Sequence, residues 1–150
     1  MPMSTKSNAT DFHLRAKAIL AVRHGRELAE LMQKMRGLPI GEISKETFEA
    51  CIRRLQCGEV TDGRDLTVIE AMLVNIAAVL LNEVVDVRVD WCLVVGDDGE
   101  EFWSAENVPF YTHRGEALLE IQNRMKRFLE VRQSFIDHAK AERLERQYLR

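Results

Sequence analysis

A chain of 150 residues with 46% hydrophobic and 30% charged residues is long enough to close one core and too evenly mixed to be disordered or fibrous. The net charge of -3 is unevenly spread: residues 1–36 carry 7 basic against 3 acidic side chains, residues 37–112 carry 5 against 15, and residues 113–150 carry 9 against 6. Basic ends lying over an acidic middle cancel within one fold, so charge alone demands no outside partner.

Cys51, Cys57 and Cys92 form an odd set with no paired C-x-x-C spacing, which predicts reduced thiols in a cytoplasmic protein rather than a disulfide framework or zinc site. Residues 1–10 are polar and lack the apolar core of a secretory signal, so residues 1–9 are expected to be a frayed lead-in to a single domain spanning 1–150.

Residues 10–36 read as the first helix, with Thr10 or Asp11 as N-cap and a stripe of Leu14, Ala21, Leu28, Leu31, Met32 and Met35. Phe12, Ile19 and Val22 lie on another side, and Gly25 marks a bend or a change of buried face. Gly37, Pro39 and Gly41 end the segment. Ser44 then caps a short helix with the stripe Phe48, Cys51, Ile52 and Leu55, stopped by Gly58. Ile43 before the cap and Phe48 inside it have the spacing of a hydrophobic staple.

Residues 66–81 form the longest apolar run. Leu66, Ile69, Met72, Leu73, Ile76, Ala77 and Leu80 make one face, and the opposite face is hardly polar, so the expectation is a central helix covered on more than one side. Thr67 with Glu70, or Asp65, would cap it. Glu70, Asn75, Asn82 and Glu83 divide the run into pieces shorter than a bilayer span, so no membrane is expected.

From Val85 the period becomes two. Val85, Val87, Val89, Trp91, Leu93 and Val95 alternate with Asp86, Arg88 and Asp90, then the 96–99 turn leads to a return strand at 100–104: a β-hairpin whose apolar face should rest on a helix or pair with a second copy. Asn107, Val108 and Pro109 read as a connector. The last helix begins at His113 behind Thr112, with Leu118, Ile121, Met125, Phe128, Leu129, Phe135, Ile136 and Ala139 on its stripe. Arg132 falls inside that stripe and needs a carboxylate or a route to water. Residues 140–150 are expected to project or dock elsewhere. The fold class is therefore mainly α with a β-hairpin (α+β), a central buried helix flanked by long N- and C-terminal amphipathic helices.

Chemistry is sparse. His13, His24, His113 and His138 form no ligand pattern, and the acids at 97, 98, 100 and 101 lack the spacing of a calcium loop. No catalytic residue, cofactor or metal site is assigned, and the chain is not expected to be an enzyme. Ile43, Ser44, Lys45, Glu46, Thr47 and Phe48, followed by Ile52, Arg53, Arg54, Leu55 and Gly58, are similar to the recognition helix of winged helix-turn-helix regulators. That resemblance implies Ser44, Lys45 and Thr47 facing the major groove, Arg53 or Arg54 meeting phosphates, and Asp62 and Gly63 tipping a wing. A well-capped amphipathic helix accounts for the same residues. The leading expectation is a non-enzymatic protein-interaction or regulatory module, homodimeric through Leu118, Ile121, Met125, Phe128, Phe135 and Ile136. A DNA-binding regulator is the alternative, and an acidic decoy of a nucleic-acid-handling protein the third reading.

Overall fold

The computed structural model describes residues 5–36 and 43–148, with side chains over 11–36 and 43–147. The helix stop expected at Gly37, Pro39 and Gly41 and the side chain of Tyr148 lie outside the described residues. Four helices and one antiparallel two-stranded sheet appear in the order α1 (Thr5–Gln33), α2 (Lys45–Gln56), α3 (Gly63–Asn82), β1 (Val84–Val95), β2 (Glu101–Tyr111) and α4 (His113–Tyr148). The mainly α, α+β class read from the sequence is the one observed. α1 already runs from Thr5, upstream of the Thr10 or Asp11 cap.

Two compact units emerge, one of residues 1–75 with 121–150, the other of residues 76–120. In the larger unit α1 and α4 run antiparallel. Arg146 reaches Asp11 at 3.7 Å, Lys17 donates to Ser134 at 2.5 Å, and Arg124 donates to Glu27 at 3.1 Å. The last described turns of α4 are thus tied to α1 at Arg146. Gly25 lies where a Cβ would meet the Phe128 ring at 3.2 Å and Leu55 at 3.4 Å. Its smallness serves close packing, and α1 continues through it unbroken. Ala21, Leu28, Met32, Phe48, Ile52, Leu55, Ile69 and Met125 are buried together in this core.

Ser44 caps α2 by accepting from the Thr47 N–H at 3.2 Å. At the other end Glu59 N–H donates to Arg54 C=O at 2.9 Å and Gly58 takes φ +82°, a left-handed C-cap that glycine adopts without penalty. α3 begins earlier than expected because Asp62 accepts from the Arg64 N–H at 2.9 Å. Asp65 and Thr67 therefore lie inside the helix rather than before it.

α3 buries one stripe, Val68, Ile69, Met72, Ile76 and Leu80, while Val74 is 70% and Leu81 79% exposed. Among the described residues, cover on more than one side is not found. By length and composition α3 could also cross a membrane, so its polar residues do not shorten it as expected; a core helix meets the same criterion.

In the smaller unit a clamp closes the base of the hairpin. Thr112 N–H donates to Glu83 C=O at 2.9 Å, the Thr112 hydroxyl bonds the Glu83 carboxylate, and the Gly115 N–H donates to Thr112 Oγ1 at 3.1 Å. Thr112 is thereby the N-cap of α4, as its position predicts. Residues 107–109 are not a connector: Asn107 pairs with Val89, Val108 with Arg88 and Pro109 with Val87, extending β2 to Tyr111. An edge strand tolerates proline where its missing N–H would face away from the ladder.

Candidate interaction surface

The register places side chains on opposite faces of the hairpin. One face holds Val87 beside Pro109, Val89 beside Asn107, Trp91 beside Ala105, Leu93 beside Trp103 and Val95 beside Glu101. The other mixes Asp86, Arg88, Asp90, Glu106 and Ser104 with Val94, Val108, Phe102 and Phe110. On that wetter face Arg88 Nε donates to Asp86 at 3.2 Å, and its guanidinium lies 4.5 Å from the Phe110 ring centroid.

The apolar face is uncovered. Trp91 is 62% and Trp103 66% exposed, and Val87, Val89, Leu93 and Val95 are each exposed by half or more. Among the described residues of the smaller unit, this face does not rest on a helix, one of the two expected solutions. Water penalises a contiguous apolar surface of this kind by about 25 cal/mol per Å².

The α4 residues proposed as the interface stand differently. Leu118, Ile121, Met125 and Phe128 are buried inside the chain, so they belong to its interior and are not open to a partner. Phe135 and Ile136 are half-buried. Four of the six side chains expected at the interface are therefore covered from within the chain.

The DNA-reading set is partly occupied. The Ser44 and Thr47 hydroxyls lie 2.8 Å apart, engaged in the cap. Lys45 and Arg53 are exposed. Arg54 is turned inward: Nε and Nη2 donate to Asp65 at 3.0 and 2.5 Å, and Nε lies 3.5 Å from Asp62. Asp62 and Gly63 tip no wing; they start α3.

Around Arg54 lies a polar cluster. Arg64 holds the Asp62 carboxyl well below the usual carboxylate range through its side chain and backbone N–H. Burial, with Asp65 beside it, pushes the Cys51 thiol up from its ordinary value. Arg132 finds neither of its expected outlets: buried, it donates to the carbonyls of Val60 at 2.7 Å and Thr61 at 3.2 Å. Burial draws its guanidinium below the ordinary value, opposed by Asp65 and Asp62.

His24 is buried with Nδ1 3.6 Å from Glu27, the packed histidine its position predicts. His13 and His138 meet edge to face at 6.5 Å between ring centroids, a pairing that their distance in sequence concealed. Among the described residues, no group of three or more His, Cys, Asp or Glu could hold a metal.

No protein-family model, curated protein or solved structure matches the chain.

Proposed function

We propose that this protein is a non-enzymatic interaction module that works as a homodimer, with the β1–β2 hairpin as its contact element. The observation that carries this reading is the uncovered apolar face of Val87, Val89, Trp91, Leu93, Val95 and Trp103. Both tryptophans of the chain lie on it, and large aromatic side chains dominate interface energetics.

The DNA-binding alternative has less support, since Arg54 is committed to Asp65 and Thr47 to the cap. Sedimentation velocity tests the main reading. The wild type should sediment as a dimer at tens of micromolar, a usual range for weak association. Val89→Lys with Leu93→Lys should give a monomer of unchanged helical content. A wild-type monomer at that concentration would overturn the proposal.

A further inference from the structure

Among the described residues the hairpin has two open edges, and they are not equivalent. The Gly96 N–H donates to Glu100 C=O at 2.8 Å, which sets the phase of the ladder. Even-numbered residues of β1 exchange hydrogen bonds with β2, and odd-numbered ones, from Val87 to Val95, turn their N–H and C=O to the open edge. The matching edge of β2 is interrupted by Pro109, which has no N–H, and β2 carries Glu101 and Glu106 with no base. Proline and like charge are the usual protections of an edge strand. On β1 the regular edge from Val87 to Val95 has neither proline nor a single-sign charge pattern; a bulge between Val84 and Asp86 lies beyond one end.

Resting on the homodimer reading above, we infer that the two copies join by antiparallel pairing of their β1 edges about a twofold axis through Val89, forming a four-stranded sheet. Charge selects this register. With the axis at Val89, Arg88 of each copy lies opposite Asp90 of the other, giving two ion pairs at closely spaced, non-hydrogen-bonded positions. Moving the axis to Arg88 sets arginine against arginine, and to Asp90 sets aspartate against aspartate. An axis at Trp91 forms no ion pair, and one at Val87 pairs Asp86 with Arg88 but brings the bulge into the middle of the ladder. Only the Val89 axis combines charge complementarity with a regular ladder, running from Asp86 opposite Cys92 to Cys92 opposite Asp86. On the apolar face it sets Val87 against Trp91 of the other copy and joins two narrow strips into one wide surface.

Charge exchange and cross-linking test this pairing in the full chain. Arg88→Asp and Asp90→Arg should each shift sedimentation from dimer toward monomer, and Arg88→Asp/Asp90→Arg should restore the dimer, because the pairs re-form with reversed sense. With Cys57→Ser and Cys92→Ser removing the exposed thiols, Val89→Cys should be linked into a covalent dimer by a short bifunctional thiol reagent, its two Cβ atoms being about 5.5 Å apart at a hydrogen-bonded pair, too wide for a direct disulfide. Leu93→Cys should not, since its two copies lie more than about 20 Å apart at 3.3 Å per residue. A dimer that persists in both single charge variants and gives no Val89→Cys cross-link would overturn the pairing and leave the homodimer reading standing. A wild-type monomer would overturn both.

Discussion

Arg54 and Arg132 show how single side chains knit the larger unit. The Asp65 side chain is buried, and Arg54 neutralises it through a bidentate contact. Arg54→Ala should destabilise by about 3 kcal/mol, the lower end for breaking a buried pair, because one charge is left uncompensated. Urea denaturation measures this, and a smaller loss in Arg54→Met/Asp65→Leu would show that the penalty arises from the orphaned carboxylate. Arg132→Ala leaves the Val60 and Thr61 carbonyls without their donor and should cost about 1–3 kcal/mol. Asp62 adds a pH dependence. Its carboxyl is held below the usual range when folded, so its contribution is present above the ordinary aspartate value of about 3.9 and disappears as pH falls through the lower folded one. Wild type should therefore lose stability on acidification below pH ~4 more steeply than Asp62→Asn.

Among the elements, α3 carries its stability on one stripe. Ile69→Ala or Ile76→Ala, at buried positions, should destabilise by about 2–5 kcal/mol, whereas Val74→Ala on the open side should stay within about 0.5 kcal/mol. At the hairpin base a Cβ on Gly115 would meet Tyr111 Cβ at 2.7 Å and Glu83 Cβ at 2.9 Å. Gly115→Ala should accordingly lose about 1–3 kcal/mol by overpacking, which thermal unfolding can read. Much of this level was legible in the sequence. Ser44, Gly58 and Thr112 announced their caps through local chemistry, and the alternation from Val85 to Val95 announced β1. Pro109 misled because its effect on backbone preference is local, while its tolerance in β2 depends on facing the outer edge of a pairing that only the register reveals. Arg132 misled for a similar reason: its acceptors are backbone carbonyls distant in sequence, and backbone carries no side-chain signature.

For the whole molecule, periodicity distinguishes a face that must be covered from one that need not be, without naming the cover. Leu118, Ile121, Met125 and Phe128 looked like an interface and are buried inside the chain, whereas Val89, Trp91 and Trp103 are left to water. That exchange moves the proposed contact surface from α4 to the hairpin. Trp91 is a built-in reporter of it. In Trp103→Phe, Trp91 becomes the only tryptophan, and its emission against protein concentration tests the central claim directly. Pairing through β1 predicts a shift to shorter wavelength as concentration rises to tens of micromolar, because Val87 of the second copy comes to lie beside the indole. Emission that stays at the wavelength of a water-exposed indole across that range would contradict it.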